Sequence, residues 1–199
     1  LISSGKGTVA DTLVEKHNYI KLSFADKLKD GVATVFGWDR AMLEGDTVES
    51  REWRETVDQF WTNETGREIT PRLVLQEFGT DCMRNGFYDG IWVSLVKQEI
   101  INNPENNYII PDVRFANEIK IIKDLGGEVW NVRRGELPDW WGVAVLDNKT
   151  NSNLMKTSYP DVHQSEWRWI GKDNHFDVII QNNDTIKALY SKVSAGLST

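Results

Sequence analysis

Short apolar segments that suit β-strands alternate along this chain with segments of helical period, and this alternation is the feature that most restricts its fold. The clearest strand signal covers residues 107–111, and the clearest helix signal follows at about residues 115–125 and ends at two glycines. Such alternation favours an α/β fold in which a parallel sheet is flanked by helices. Ligands in these folds bind beyond the carboxyl ends of the strands, so polar residues there are candidate site residues.

The remaining segments complete this pattern along a single predicted domain over residues 1–199. We predict strands over residues 18–24, 107–111, 128–133 and 176–180. We predict helices over residues 8–17, 26–36, 70–84, 89–103, 115–125 and 184–193, with a charged amphipathic segment over 39–61. Two stretches lack clear periodicity: a polar loop over residues 62–68 and a long stretch over about 135–173, which we predict to be an irregular insertion.

A glycine-rich segment stands directly before the first predicted helix and consists of Ser4, Gly5, Lys6, Gly7 and Thr8. Glycines let backbone N–H groups converge on an anion, the lysine adds a point charge, and the helix N-terminus adds partial positive charge. The phosphate-loop pattern G-x-x-x-x-G-K-[ST] also needs an earlier glycine, and its magnesium-binding hydroxyl is displaced here by one position. We therefore expect native residues before Leu1, while a plain turn before a helix stays open as an alternative.

Charge and cysteine content narrow the partners and the compartment. The formal net charge is −7, which argues against direct nucleic-acid binding because such binders present a basic face. Cys82 is the single cysteine, so an internal disulfide is excluded and a reducing cytoplasm is predicted. The three histidines lack metal-ligand spacing, and no apolar run approaches a membrane span in length, so we predict neither a structural zinc site nor a membrane partner.

Polar residues follow the strand signal at residues 107–111. Asp112 stands where a nucleotide-binding enzyme keeps a carboxylate for magnesium, and a contact with a sugar hydroxyl or an N-cap of the next helix are the alternatives. Arg114 is a cation for a phosphate group, although Arg114 and Glu118 are also spaced for an intrahelical ion pair. Arg133 follows another predicted strand and is a further phosphate candidate.

A second group of polar residues repeats at helical spacing. Arg72, Gln76 and Thr80 lie four residues apart, which places them on one side of the predicted helix over 70–84. An arginine, an amide and a hydroxyl suit a phosphate and a base edge, while a solvated helix face is the alternative. Gly79 would let a ligand approach the backbone closely.

Several motifs, in this order along most of the chain, resemble the phage deoxynucleoside monophosphate kinase family. They are Ser4–Thr8 with Ala10-Asp11, Phe24-Ala25-Asp26 with Leu28-Lys29, Pro71-Arg72 with Leu75-Gln76, Gly79-Thr80-Asp81, Trp92-Val93, Pro111–Phe115 with Asn117-Glu118, Gly126-Gly127, Arg133, His163 with Ser165-Glu166, and 176–180 with Asn182. The stretches Arg72–Trp92 and Asp112–Glu118 carry most of the specificity, because small P-loop kinases in general share the phosphate loop.

The resemblance implies a three-layer P-loop kinase fold with a helical, lid-like insertion at about residues 40–67 that closes over the substrates. It implies ATP-dependent, Mg²⁺-assisted phosphorylation of a deoxynucleoside monophosphate to the diphosphate, for nucleotide supply in phage DNA replication and thus in the host cytoplasm. The implied catalytic residues are Lys6, Arg72, Asp112 and Arg114, and the implied ATP-binding residues are Ser4, Gly5, Lys6, Gly7, Thr8 and Arg133. The implied acceptor-binding residues are Lys29, Arg51, Arg72, Gln76, Gly79, Thr80, Trp92, Asp112, Arg114 and Glu118.

Two other functions stay open at this point. One is another small-molecule P-loop kinase, such as one similar to dephospho-coenzyme A kinase. The other is a non-catalytic nucleotide-binding or interaction protein that uses a tryptophan-rich surface. The sequence gives neither the accepted bases nor the sugar preference, and a homodimer is left open.

Overall fold

The computed structural model describes residues 4–171 and 176–197, and it is a mixed α/β structure with small parallel sheets. The helices are α1 (Lys6–His17), α2 (Asp26–Phe36), α3 (Val48–Glu55), α4 (Gln59–Thr65), α5 (Pro71–Gln76), α6 (Ile91–Asn102), α7 (Ala116–Asp124), α8 (Trp141–Thr150), α9 (Leu154–Ser158) and α10 (Ile186–Gly196). The strands are β1 (Ile20–Lys21), β2 (Tyr108–Ile109), β3 (Trp130–Arg133) and β4 (Val178–Gln181). A π-helix (Glu77–Asn85) follows α5, and a short 3-10 helix (Gln164–Glu166) precedes β4. Leu1, His175 and the end of the predicted insertion lie outside the described residues.

The chain forms two compact units. Unit 1 comprises Leu1–Leu22 and Ile100–Thr199, and unit 2 comprises Ser23–Glu99. The phosphate-loop segment and the polar residues after β2 belong to unit 1, whereas the Arg72 group belongs to unit 2.

The strands of unit 1 form two separate parallel pairs where the sequence predicts one parallel sheet. β1 pairs with β2, with Ile20 opposite Tyr108, and β3 pairs with β4, with Trp130 opposite Val178. The parallel direction agrees with the prediction, because the strands of each pair are joined through intervening helices. The ladder hydrogen bonds join strands within each pair, so the observed sheets are smaller than expected.

The core of unit 1 places the start of α1 beside the strand pair β3–β4. Its buried members are Val9, Leu13, Val132, Ile180, Leu189 and Val193. Val9 and Leu13 are four residues apart, so they share the face of α1 that packs on this core. Packing on one face leaves the N-terminal turn of α1 near the carboxyl ends of β3 and β4, where ligands bind in such folds.

The stretch over 135–173 is regular over much of its length, contrary to the prediction of an irregular insertion. It contains α8 and α9, which surround a buried cluster of Ala144, Met155, Trp167 and Ile170. Asp147 accepts the backbone N–H groups of Asn153 and Met155 at 2.9 and 2.7 Å, and Asn148 donates to two backbone carbonyls. These buried polar side chains interrupt the apolar period, which is why the pattern does not indicate helices here.

Unit 2 is a helical unit built around a small apolar core with an aromatic shell. The core comprises Val32, Leu43, Ile69 and Val74, and the shell includes Phe36, Trp38, Trp53 and Trp61. The predicted polar loop over 62–68 is wrong for its first residues, since α4 continues to Thr65 and ends at the left-handed Gly66. Asp58 begins α4 by accepting the N–H of Trp61 at 3.0 Å, a cap that divides the predicted segment over 39–61.

Candidate functional site

The predicted phosphate loop turns sharply into α1. Gly5 is the N-cap of this helix and has a left-handed φ of 100°, with no side chain capping the helix start. A Cβ at Gly5 would lie 2.4 Å from Nδ2 of Asn182, so a side chain does not fit there. At Gly7, a Cβ would meet no heavy atom within 4 Å, so this side of the loop is open. The geometry suits an anion at an uncapped helix N-terminus.

Lys6 lies in an environment that disfavours its own charge. Burial is the main cause that lowers the pKa of its ammonium group, and the nearby positive charge of Arg114 acts in the same direction. Its Nζ donates to Oγ of Ser4 at a long 3.4 Å. An anionic ligand would favour the charged form of this lysine, so the local electrostatics suit a phosphate.

The segment between β2 and α7 is held by a buried carboxylate. Glu118, which is 4% exposed, accepts the backbone N–H groups of Arg114 and Phe115 at 2.6 and 3.0 Å. The N-cap of α7 is Phe115, so the alternative role of Asp112 as the cap of this helix is not observed. Nη1 of Arg114 contacts Oε1 of Glu166 at 2.8 Å. Glu118 therefore fixes the backbone from which the Arg114 side chain extends.

A cleft of about 540 Å³ in unit 1 brings the charged candidates together. Lys6, Asp112, Arg114 and Glu166 all line it, together with Trp169. Apolar residues of α1, β2, β3 and α7 form much of the rest of its wall. Oδ1 of Asp112 is shielded from solvent. The structure thus brings Lys6 together with Asp112 and Arg114, which come more than a hundred positions later in the sequence, and it adds Glu166, which appears in the sequence only as part of a family motif.

Two further residues of unit 1 lie where β3 and β4 end. Arg133 is the last residue of β3, and its guanidinium lies 5.4 Å from the ring centre of Trp141. Its carbonyl accepts the N–H of Asn182 at 2.7 Å, and Nδ2 of Asn182 donates to the carbonyl of Ser4 at 2.9 Å. Asn182 therefore contacts the phosphate loop, a role that the sequence signals only by an asparagine at a strand end.

The Arg72 group lies on the surface of unit 2. Arg72, Gln76 and Thr80 are all exposed, but the π-helix begins after Gln76. A π-helix has a wider turn than an α-helix, so Thr80 does not continue the four-residue spacing of one face. Nη1 of Arg72 donates to Oε1 of Glu55 at 2.7 Å.

Gly79 and Trp92 are buried and contact each other. Nε1 of Trp92 donates to the carbonyl of Gly79 at 3.1 Å. A Cβ at Gly79 would lie 2.9 Å from Cδ2 of Leu28, so the absence of a side chain permits close packing of this leucine. Leu28 makes the close approach that the sequence assigns to a ligand.

Lys29 belongs to a network of mutually stabilising charges in unit 2. Its Nζ lies 2.5 Å from Oε2 of Glu44, which also contacts Arg40. Burial alone would raise the pKa of Glu44, but hydrogen bonds from Lys29 and Arg40 lower it. Burial would likewise lower the pKa of Arg40, and hydrogen bonds to Asp30 and Glu44 raise it instead. Arg51, the other cation predicted here, is exposed on α3.

Within residues 4–171 and 176–197, no group of three or more His, Cys, Asp or Glu side chains is arranged to hold a metal ion. The same residues include no helix with the length and apolar character needed to cross a bilayer.

The sequence matches the deoxynucleotide monophosphate kinase family over residues 40–139. A protein of Acanthamoeba polyphaga mimivirus that is named as a deoxynucleotide monophosphate kinase is 30% identical over 202 residues, which cover 96% of this chain and 89% of that protein. A deoxynucleoside-5'-monophosphate kinase of Escherichia phage T5 is 34% identical over 56 residues, which cover 28% of this chain and 22% of that protein.

Proposed function

The chain belongs to the deoxynucleotide monophosphate kinase family, and we propose that it transfers the γ-phosphate of ATP to a deoxynucleoside monophosphate. The products are ADP and the deoxynucleoside diphosphate. The observation that carries this proposal is the convergence of Lys6, Asp112 and Arg114 on one cleft next to the uncapped start of α1. Two cations and a helix N-terminus suit a polyphosphate, and the carboxylate of Asp112 beside them suits its metal ion.

The loop geometry supports ATP as the donor. The left-handed Gly5 turns the backbone so that α1 starts at Lys6, and the side of the loop at Gly7 is open. Ser4 and Thr8 complete the loop. Arg133 lies at the end of β3, and its carbonyl accepts a hydrogen bond from the N–H of Asn182. We assign these residues to the triphosphate and Lys6 to its β- and γ-phosphates.

The residues present fit a magnesium ion held largely by its substrate. Mg²⁺ keeps several waters and takes one or two protein oxygens together with phosphate oxygens. Asp112, with its shielded Oδ1, and the hydroxyl of Thr8 are the protein oxygens that we propose for it. The ion would supply charge neutralisation between the donor phosphates.

The transfer step needs charge compensation more than a base. The bond between the γ-phosphorus and its bridging oxygen to the β-phosphate breaks, and a bond from the acceptor phosphate oxygen to the γ-phosphorus forms in line. The acceptor phosphate is already anionic at neutral pH, so the reaction does not need a strong base from the enzyme. Lys6 and Arg114 offset the negative charge of the phosphoryl group as it moves. Such electrostatic stabilisation of the transition state is the main contribution of the protein in phosphoryl transfer.

Residues of unit 2 enter the proposal through the family resemblance. Arg72 is the exposed guanidinium that we assign to the acceptor phosphate, and Gln76 and Thr80 are exposed near it in the sequence. Gly79 and Trp92 would act through the backbone that they support. The other proposed acceptor contacts are Lys29 and Arg51 in unit 2, and Asp112, Arg114 and Glu118 in unit 1.

The wider biological setting is part of the same proposal. We propose a three-layer P-loop fold acting as one domain, with residues 40–67 as a mobile lid that excludes water from the reaction. The diphosphate product would supply deoxynucleotides for phage DNA replication in the host cytoplasm. Helices α1 and α10 packed on parallel strands are the structural support for this fold.

An acceptor panel tests the proposal. ADP release from ATP and Mg²⁺ is measured in a coupled assay with each deoxynucleoside monophosphate, each ribonucleoside monophosphate and dephospho-coenzyme A. We expect release that depends on at least one deoxynucleoside monophosphate. Release with dephospho-coenzyme A alone, or nucleotide binding with no release at all, would contradict the proposal.

A further inference from the structure

One side chain joins the phosphate loop to the end of the strand pair β3–β4. Asn182 follows β4 directly, and its Nδ2 donates to the carbonyl of Ser4 at 2.9 Å across 178 positions of sequence. Its backbone N–H donates to the carbonyl of Arg133 at 2.7 Å. The residue is therefore anchored on the strands and reaches the loop with its amide.

The contact fixes a peptide plane in the loop. A trans peptide is planar, and its C=O and N–H point in opposite directions, so a hydrogen bond to the Ser4 carbonyl also sets the direction of the Gly5 N–H. Gly5 and the amide are tightly fitted, because a Cβ at Gly5 would lie 2.4 Å from Nδ2 of Asn182. The left-handed φ of 100° at Gly5 belongs to the same turn.

We propose that Asn182 is a positioning residue for ATP. Its amide holds the Ser4–Gly5 peptide so that the N–H groups of the loop face the ATP phosphates. This inference rests on the proposed function. Asn182 acts through the loop and contacts neither reacting phosphate, so its loss affects donor binding more than acceptor binding. Without the Asn182 amide, ATP itself has to order the loop when it binds, and this cost weakens ATP binding.

Three substitutions separate this role from others. Asn182→Ala removes the donor group, and Asn182→Asp places a carboxylate oxygen against the Ser4 carbonyl oxygen, which is repulsive. Asn183→Ala is the matched control, because Asn183 is the next residue after Asn182 in the segment that follows β4, but its Oδ1 accepts the N–H of Gly135 at 2.8 Å. Thermal unfolding reports whether each variant folds.

The readouts are KM for ATP, KM for the acceptor, kcat, and the Kd for ATP by calorimetry without acceptor. For Asn182→Ala we expect KM and Kd for ATP to rise about tenfold, the usual effect of one lost hydrogen bond. We expect a larger rise for Asn182→Asp, an acceptor KM within about twofold of wild type, and an Asn183→Ala variant like wild type.

Other outcomes would overturn the inference. Wild-type values of KM and Kd for ATP in both Asn182 variants would do so, as would equal rises in KM for both substrates. If the Ala variant does not fold, Asn182→Ser, which retains a hydroxyl donor, is measured instead. Unfolding of all Asn182 variants with a folded Asn183→Ala would assign Asn182 to stability alone. Inactivity of wild type and Asn183→Ala with every acceptor would overturn the proposed function, while the ATP Kd would still test Asn182.

Discussion

The two units of this chain use their cations differently. In unit 1, burial lowers the pKa of Lys6, and its ammonium contacts a hydroxyl at 3.4 Å. In unit 2, Lys29 and Arg40 lie against Glu44, and these contacts raise the pKa of Arg40 and lower that of Glu44. The first arrangement disfavours charge in the folded protein, and the second favours it.

This difference distinguishes a cation suited to ligand binding, Lys6, from cations that stabilise the structure, Lys29 and Arg40. A protein maintains a destabilised charge where a ligand compensates it, so perturbed groups of this kind mark functional sites. Mutually satisfied pairs stabilise or position the elements that carry them, and each contributes little. On this basis Lys6 is a stronger candidate for substrate binding than Lys29, although the sequence nominates both.

The largest expected effect comes from Lys6→Met, which keeps the apolar stem and removes the charge. We expect kcat/KM to fall by about 10²–10³-fold, as for other lost electrostatic contacts to a transition state. Stability should not fall with it. Because the folded pKa of Lys6 lies below its ordinary value of 10.5, the protonated lysine opposes folding at neutral pH.

Thermal unfolding of wild type and of the Lys6→Met variant at a series of pH values checks whether the protonated lysine destabilises the folded protein. Wild-type stability from this group should rise as pH approaches 10.5, whereas the variant should lack that rise. Its midpoint at pH 7 should equal or exceed that of wild type. A lower midpoint together with lost activity would make Lys6 a structural residue and remove the contrast with unit 2.

Arg114→Ala should have the next largest effect. Loss of a charged hydrogen bond to a phosphate costs about 2–3 kcal/mol, so kcat/KM should fall by about 30- to 150-fold. Glu166→Gln, which keeps the shape of the partner at 2.8 Å, is the paired variant and should change kcat/KM much less. If Glu166→Gln were as inactive as Arg114→Ala, the ion pair rather than the guanidinium alone would be essential.

Arg72 tests whether a paired cation of unit 2 also binds substrate. We expect Arg72→Ala to raise KM for the monophosphate about tenfold, the cost of one charged contact, with a smaller change in KM for ATP. Glu55→Gln should lower KM for the monophosphate or leave it unchanged, because it releases Arg72 from its partner carboxylate at 2.7 Å. Steady-state kinetics with each substrate varied in turn separate the two. Equal rises for both substrates would leave Arg72 with a structural role.

The smallest effect is expected in the Glu44 network. Glu44→Gln should lower the free energy of unfolding at pH 7 by about 1 kcal/mol, as for other partly exposed ion pairs. Because the folded pKa of Glu44 lies below its ordinary value of 4.5, this contribution is present above that pH and is lost as pH falls through the folded pKa. Chemical denaturation at pH 7 and pH 3 should show the difference shrinking. A difference that persists at pH 3 would contradict the electrostatic origin.

Local signals in the sequence predict much of the fold. The helix predicted over 26–36 agrees with α2 at both ends, and Thr70 with Pro71 marks the start of α5. The strands are shorter than predicted, because apolar side chains extend beyond the residues that form ladder hydrogen bonds. Helices α8 and α9 are missed because Asp147 and Asn148 form buried hydrogen bonds inside an apolar pattern.

The candidate site is predictable in its charged members and not in their partners. The rule that ligands bind beyond strand ends selects Asp112 and Arg114, and the loop pattern selects Lys6, and all three line one cleft. Glu166 contacts Arg114 from 52 positions away, and Asn182 reaches Ser4 from 178 positions away. Periodicity and spacing carry no information about such long-range contacts, which depend on tertiary packing.

Transfer of labelled phosphate tests the central claim most directly. Wild-type protein and Lys6→Met are incubated with ATP labelled at the γ-phosphate, Mg²⁺ and the four deoxynucleoside monophosphates, and the products are separated. We predict label in a deoxynucleoside diphosphate with wild type and at least a hundredfold less with the variant, in line with the expected loss in rate. Label recovered only as inorganic phosphate, or equal transfer by both proteins, would contradict the assignment of unit 1 as the phosphoryl-transfer site.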